Sequence, residues 1–284
     1  MKTLDLKNEK IQIVKSKEIK KKPKIEKYQS LYDYIEKVKV AKGEIPLSII
    51  LPVFNEEHIV YSVLDNLPEH ELIEIIVVDD HSIDNSVKKI EEIKKEKNIK
   101  LIKLNRNKGY GGAIITGIKA AKGNILLTMD SDGQHNPLDI LLLIKPVFEG
   151  EADMTIGSRY LGGSYYDIPI VTRLGEALIE KLIHILFNIK VMNNQNGFRA
   201  FNGKLVPLSF NIRFQDFAFP TEFILEASLK GYRIKECPVK LYHRQFGSSK
   251  VNLSKLTLNL FSCILLYFMK KIKLSLVKRK KRKD

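Results

Sequence analysis

The sequence predicts an α/β domain: a Rossmann-like, mainly parallel sheet flanked by helices. Three observations predict it. Short β-branched apolar runs alternate with amphipathic segments at the spacing of βαβ units. Each run ends in polar or glycine-rich residues, which places those endings on one edge of the sheet. One of the runs, Leu126-Leu-Thr-Met129, stops abruptly at Asp130-Ser131-Asp132-Gly-Gln134. Open α/β folds keep their ligands at that carboxyl edge.

The elements follow in order. Tyr28 to Val40 carries Leu31, Tyr34, Ile35 and Val38 at helical spacing, and Gly43 and Pro46 mark a linker after it. Leu47 to Leu51 reads as the first strand, followed by Pro52-Val-Phe54-Asn55-Glu56-Glu57 and a helix to about Leu67. Glu74 to Val78 is the second strand, ending in Asp79-Asp80-His81-Ser82, with a Lys- and Glu-rich helix over 84–97. Lys100 to Leu104 is the third strand. A glycine-rich turn, Asn107 to Gly112, leads into a helix over 113–121. Asn124 to Met129 is the fourth strand, a helix covers 138–148, and a short strand covers 153–156. Beyond it the pattern is less regular. We expect a loop over 161–169, a helix over 173–187, a turn and short strand at 196–201, a helix over 219–229 closed by Gly231, and a strand pair over 232–241.

Charge divides the chain. The formal net charge is +15, but residues 1–44 hold 13 Lys against seven Asp/Glu, and residues 270–284 are net +8. The middle, 45–269, is left at +1. Basicity therefore belongs to the ends, where it suits solvation, nucleic acid or anionic lipid. Residues 253–269 form an apolar helical stretch with Leu256, Leu260, Phe261, Ile264, Leu265 and Phe268 on one face. At about 17 residues, with Lys255 and Asn259 inside, it is short for a span that wants ~20 apolar residues. An interfacial amphipathic helix beside Lys270, Lys271 and the 278–283 cluster fits better; a core-packing helix is the alternative. Three segments are expected: a basic extension over 1–44, a catalytic-sized domain over 45–250, and a helix with a basic tail over 251–284. Two cysteines and no apolar N-terminal segment point to a reducing, cytosolic setting.

The acidic rim carries the chemistry. Asp130 and Asp132, with Gln134 close by, suit a hard divalent cation shared with phosphate oxygens; an Asx-rich turn is the plain alternative. Asp79 and Asp80 offer acceptors for a base, a ribose or a second metal, or a turn cap. His58, His81 and His135 have no metal-ligand spacing and read as surface or turn residues. The glycines after the third strand lack a dinucleotide fingerprint's spacing, and there is no Walker lysine motif, so dehydrogenase and NTPase chemistry are set aside. There is no nucleophile elbow.

Taken in order, Pro52-Val-Phe54-Asn55-Glu56, Val77-Val78-Asp79-Asp80-His-Ser82-x-Asp84, Asn107-x-Gly109-x-Gly111 and Asp130-Ser-Asp132-x-Gln134-His135-x-Pro137 resemble the nucleotide-sugar half of a family 2 glycosyltransferase of the GT-A fold. Gly157-Ser158-Arg159-Tyr160, Gly197-Phe198-Arg199 and His243-Arg244-x-x-Gly247-x-Ser249-Lys250 narrow the resemblance to the dolichol-phosphate mannose synthase branch. It implies a donor site of Pro52, Phe54, Glu56, Val78, Asp80, Asp130, Ser131 and Lys250. It implies Mg²⁺ or Mn²⁺ on Asp130, Asp132 and Gln134, and an acceptor-phosphate site of Arg159, Arg173 and Arg244. Asp132, Arg159 and Arg244 would bear most directly on catalysis. Where the family often has a hydroxyl one turn after Arg173, this chain has Ala177, and Asn193-Asn-Gln195-Asn196 departs from the mannose enzymes.

The implied activity is inverting transfer of a hexose from a nucleotide sugar to dolichyl or polyprenyl phosphate at the cytoplasmic membrane face, with a membrane protein partner an open alternative to the tail as anchor. The Gln195 variant favours UDP-N-acetylglucosamine or UDP-glucose over GDP-mannose. A lipid phosphate needs no protein base; Glu222 would serve if the acceptor were a hydroxyl, and otherwise it favours a helix start. The alternative function is a non-catalytic, basic-tailed lipid- or nucleic-acid-binding protein on an enzyme-like core. Nucleic acid is disfavoured, because no aromatic stacking platform accompanies the basic ends.

Overall fold

A computed structural model describes residues 26–165, 170–247 and 253–280. Two compact units divide between Glu44 and Ile45. Within the first, α1 (Gln29–Lys42) carries Leu31, Ile35 and Val38 at helical spacing and stops at Gly43, whose φ of +80° ends the helix.

The second unit runs β1 (Leu47–Val53), α2 (Val60–Asp65), β2 (Ile73–Asp79), α3 (Ser86–Ile93), β3 (Ile99–Lys103), α4 (Gly109–Ala120), β4 (Ile125–Thr128), α5 (Ile140–Phe148), β5 (Met154–Ser164), α6 (Ile170–Phe187), β6 (Arg199–Asn202), α7 (Val206–Ser209), α8 (Phe219–Leu229), β7 (Ile234–Leu241) and α9 (Leu253–Lys280). Seven strands form one sheet in the order β3-β2-β1-β4-β6-β5-β7. Strands β1 to β4 pair in parallel, as does β5 with β7. Strand β6 is antiparallel to both neighbours, so the sheet is mixed. The chain leaves β1 toward β2 and β3, then returns to place β4 on the other side of β1. That reversal is a topological switch point, and it opens a crevice at the carboxyl ends of β1 and β4.

Several boundaries differ from the sequence expectation. The glycine-rich stretch at Gly109 is the first turn of α4 and not a loop before it. A Cβ on Gly111 would lie 2.6 Å from the Phe219 Cβ, so glycine there lets α4 meet the start of α8. Strand β5 continues through Ser164, because Gly163 and Ser164 regain pairing with Lys240 and Leu241 after a bulge. One strand, β7, replaces the expected pair over 232–241. Helix α3 ends at Ile93, and Lys97 turns inward, where its ammonium donates to the carbonyls of Leu64, Asp65 and Leu67 at the end of α2.

Both faces of the sheet are covered: Ile49, Leu51, Ile75 and Val77 are buried with Val60 and Leu64 of α2 and Ile90 and Ile93 of α3, and a larger core lies on the other face. Ile50, Ile76 and Val78 of the sheet, Ile114 and Ile118 of α4, Ile183 of α6 and Phe223 of α8 belong to it. Helix α9 completes it with Leu260, Cys263, Ile264 and Tyr267, all buried. The single apolar face expected for 253–269 is therefore divided. Leu260 and Ile264 go to the core, while Phe261 and Leu265 are 40% and 59% exposed. Among the described residues, no helix is long and apolar enough to cross a membrane.

Candidate active site

Beyond β1 and β2 the chain must turn back over the sheet edge, and the polar residues there hold the two exits together. Asn55, at φ +54°, accepts from the Ile83 N–H through Oδ1, and its own N–H donates to Ser82 Oγ. The Glu56 N–H donates to Ser86 Oγ, and the Glu57 N–H to Asp84 Oδ2. The Ser-x-Asp sequence after β2 is thus a clamp on the loop after β1. Asp79 accepts from the Ser82 N–H and caps this turn. From β4, Ser131 Oγ donates to the Pro52 carbonyl at 2.8 Å, fixing the acidic turn against β1.

These exits wall a cavity of about 760 Å³, within the range of small-molecule sites. Pro52, Phe54, Glu56, Asp80, Asp130, Ser131, Asp132, Gln134, Arg159 and Arg244 all line it. Two expected residues, Val78 and Arg173, do not join them, and a third cannot be placed. Val78 is fully buried in the core, its Cγ2 facing the position a Gly117 side chain would take. Arg173 is exposed on α6 and is not part of the cavity wall. Lys250, with Ser249, lies outside the described residues.

At one end Asp80 is buried, and its Oδ1 accepts from the Lys108 N–H at 2.7 Å. Burial pushes its carboxyl up from the usual range, against the pull of the Lys108 and Gly109 amides. In the middle, Asp130 has both oxygens engaged. Tyr110 donates to Oδ1 at 2.9 Å, and His135 Nε2 lies 3.1 Å from Oδ2. Burial acts to raise the Asp130 pKa, but His135 and Tyr110 outweigh it and hold the group low. Asp132 goes the other way, raised by burial and by the Asp130 charge. Gln134 donates through its NH₂ to the Tyr242 carbonyl at 3.0 Å, which leaves its own carbonyl oxygen for a ligand.

Among the described residues, no group of three or more His, Cys, Asp or Glu side chains is arranged to hold a metal. The oxygens of Asp130, Asp132 and Gln134 nonetheless fit Mg²⁺ or Mn²⁺, hard cations that take a few protein oxygens and complete their shell with water and phosphate.

Cations face these acids. Arg244 bonds Glu56 and lies 3.8 Å from Asp132 Oδ2 through Nη1. Arg159, on β5, is held by both carboxylate oxygens of Glu176 at 2.5 and 2.6 Å, and the Tyr160 hydroxyl bonds the same carboxylate. Glu176 belongs to α6 and also lines the cavity.

Several residues were not legible as site residues. His135, expected at the surface or in a turn, lies in the turn after β4 but is buried there, folded back against Asp130 and the Phe198 ring, 5.0 Å away between centroids. Its Pro137 neighbour and motif position were visible, but its direction was not. Asn193, Gln195, Asn196, Gly197 and Phe217 line the cavity from the opposite wall. Arg199 organises that wall from below. It is 1% exposed and donates to the carbonyls of Asn194, Asn196 and Pro220. Burial lowers its pKa to about 10, leaving it charged at neutral pH. Glu222 is not in the cavity. It is fully buried, accepts from the Arg213 and Phe214 N–H groups and from the Tyr267 hydroxyl, and so anchors α9 to α8.

Comparison with known proteins agrees with this geometry. Residues 48–206 match the family described as Glycosyl transferase family 2. A UDP-N-acetylglucosamine–dolichyl-phosphate N-acetylglucosaminyltransferase of Methanococcus voltae is 30% identical over 242 residues, covering 79% of this chain and 96% of that one. A dolichol-phosphate mannosyltransferase of Pyrococcus furiosus is 30% identical over 72% of this chain and 59% of its own. Among solved structures, glucosyl-3-phosphoglycerate synthase from Mycobacterium tuberculosis, in complex with Mn²⁺, UDP and phosphoglyceric acid, aligns with a TM-score of 0.64 at 20% identity, over 82% of each chain. That likeness extends the GT-A fold to this chain, with its mixed sheet and flanking helices. With more than half its length matched by the family model, and with relatives of this identity and coverage, the chain belongs to glycosyl transferase family 2.

Proposed function

We propose that this glycosyltransferase moves a sugar from a UDP-sugar, UDP-N-acetylglucosamine or UDP-glucose, to a dolichyl or other polyprenyl phosphate, with inversion. The observation that carries the reading is the meeting of both signs of charge in one cavity. Asp130 and Asp132 line it together with Arg159 and Arg244, and Arg244 Nη1 lies 3.8 Å from Asp132 Oδ2. A phosphate monoester meeting a sugar diphosphate needs this combination: oxygen ligands for a cation on the diphosphate and guanidinium groups for the free phosphate.

Each residue then has a task. Pro52 and Phe54 flank the base, and Asp80, with Oδ1 already held by Lys108, offers its other oxygen to an imino or ribose hydrogen. Asp130, Asp132 and Gln134 would hold Mg²⁺ or Mn²⁺, which would supply positive charge against the leaving diphosphate. Arg244 exchanges Glu56 for the diphosphate. Arg159 exchanges Glu176 for the acceptor phosphate. One acceptor oxygen forms the new bond to the anomeric carbon from the face opposite the diphosphate. The bond from that carbon to the diphosphate oxygen breaks, and its electron pair leaves with UDP. The acceptor is ionised near neutrality, its second pKa lying at about 6, so no side chain has to take a proton. Glu222, committed to α9, is consistent with a mechanism that uses no protein base.

We place the enzyme peripherally on the cytoplasmic membrane face. Support comes from α6 and α9, which leave Ile170, Leu174, Leu178, Phe261, Leu265 and Met269 exposed beside Lys270 and Lys271. Leu253 and Glu176 bring both helices to the cavity wall, where a lipid-borne phosphate would enter. The test is a donor panel of UDP-N-acetylglucosamine, UDP-glucose and GDP-mannose with a polyprenyl phosphate and Mg²⁺ or Mn²⁺. Radiolabel should enter the lipid phase from a UDP-sugar. Transfer from GDP-mannose alone would overturn the donor assignment, and no transfer from any donor would overturn the function.

A further inference from the structure

The wall formed by residues 193–197 is built with more care than a loop between α6 and β6 requires. Arg199 gathers the Asn194 and Asn196 carbonyls at 2.6–3.1 Å. Asn196 donates to the Gly157 carbonyl at 2.8 Å and accepts from the Phe198 N–H at 2.8 Å. The Asn193 N–H donates to Glu236 at 2.8 Å. A segment tied at so many points cannot reshape itself around a ligand, so whatever it presents to the cavity is presented in a fixed orientation.

What it presents is Gln195. Thr221, fully buried at the start of α8, donates its hydroxyl hydrogen to Asn194 Oδ1 at 2.8 Å. The Thr221 oxygen is then an acceptor, and Gln195 Nε2 donates to it and, at 3.3 Å, to Asn194 Oδ1. The opposite amide orientation would set the Gln195 carbonyl against the Asn194 carbonyl. Both N–H groups are therefore spent within the wall. The Gln195 carbonyl oxygen makes no hydrogen bond among the described residues, and Gln195 lines the cavity.

Its place along the cavity follows from Gly197. A Cβ on Gly197 would overlap Asp130 Oδ1 and the Tyr110 hydroxyl, so the loop crosses directly against Asp130. The base end, at Pro52, Asp80 and Asn107, lies at the exits of β1 and β2, and the Arg159–Glu176 end lies at β5 and α6. What stands over the diphosphate ligands, opposite the base end, is the sugar.

We propose that Gln195 reads the donor sugar: its fixed carbonyl oxygen accepts a hydrogen bond from an N–H or O–H of the hexose, the acetamido N–H of N-acetylglucosamine being the fitting donor. The assignment rests on the nucleotide-sugar reading above and adds the residue that separates sugar from nucleotide. An unmet acceptor in a structured wall disfavours any sugar that cannot supply the hydrogen.

Calorimetry on the full chain with Mn²⁺ tests it, comparing UDP, UDP-glucose and UDP-N-acetylglucosamine for the unmodified protein, Gln195→Ala and Gln195→Glu. We expect Gln195→Ala to weaken UDP-N-acetylglucosamine about tenfold while UDP changes less than twofold, the scale of one lost hydrogen bond. Gln195→Glu, whose second oxygen would meet the Thr221 and Asn194 oxygens where Nε2 now donates, should not recover the loss. Equal weakening of UDP and UDP-sugar, or unchanged affinity for both, overturns the role of Gln195 and leaves the proposed function standing. If the unmodified chain binds neither UDP nor any UDP-sugar, the nucleotide-sugar reading falls and Gln195 with it. Thermal melting checks that both variants fold.

Discussion

His135 holds its Nε2 3.1 Å from Asp130 Oδ2, buried beneath the sheet edge against Phe198. With Tyr110 on the other oxygen, it fixes a carboxylate that the proposed mechanism uses as a metal ligand. Groups that orient a ligand from behind typically matter about 10–100-fold in metal affinity or activity. We expect His135→Phe to lower kcat/KM by that factor and to raise the Mn²⁺ concentration needed for half-maximal rate. A metal titration of the rate, with unchanged melting temperature, checks it.

Asp132 carries the sharper prediction. Its carboxylate faces the cavity, with Arg244 Nη1 3.8 Å away. Asp132→Ala removes a metal ligand and a charge together, so transfer should fall by about 10³-fold or more, the scale of losing transition-state charge stabilisation. Chelation of divalent cations should reduce the unmodified enzyme to the same floor. Activity that survives chelation would remove the metal from the mechanism.

The Arg159–Glu176 pair predicts a division between the two substrates. Arg159→Ala should raise the KM for polyprenyl phosphate about tenfold or more while the donor KM stays within twofold, since only the acceptor phosphate loses its partner. Arg159→Lys should not restore it, because a lysine lacks the second, rigidly placed nitrogen with which a guanidinium can grip two phosphate oxygens. Initial rates with each substrate varied in turn distinguish the outcomes.

Gly197→Ala should damage both stability and activity. The added methyl group meets Asp130 Oδ1 and the Tyr110 hydroxyl, and relief would displace one of them. Overpacking of this kind costs about 1–3 kcal/mol. A melting curve reads the first effect and a transfer assay the second.

Helix α9 makes two separable predictions. Deleting it removes Leu260, Ile264 and Tyr267 from the core at about 2 kcal/mol per side chain and leaves Glu222 without the Tyr267 hydroxyl. The shortened chain should therefore be strongly destabilised. Leu265→Glu, on the exposed side, should leave melting unchanged and reduce flotation with vesicles containing anionic lipid. Equal flotation of the variant would take α9 out of the membrane contact.

The strands up to β4 were legible because buried parallel strands are written as compact apolar runs, and their endings fall on one rim; their order in the sheet was not. Asp80, Asp130 and Asp132 could be assigned to that rim for the same reason, and the spacing of the Asp pair already suggested oxygen ligands. Beyond β4 the signals weaken. Strand β6 is four residues long and runs against its neighbours, and only the pairing of Arg199 with Thr128 and Ile156 gives its direction. Val78 and Arg173 illustrate the limit from the other side. Adjacent to site residues in sequence or by resemblance, they are carried elsewhere by strand alternation and by the helix face on which they sit.

By itself the sequence determined the α/β alternation, the acidic rim and the kind of chemistry that rim suits, because these depend on local pattern and residue type. Tertiary structure alone decided that His135 turns inward, that Glu222 belongs to α9, that Arg159 meets Glu176, and that Gln195 faces the cavity. Each of those joins residues between 5 and 45 positions apart, and no local pattern encodes a partner that only the folding of the sheet edge brings within hydrogen-bonding distance.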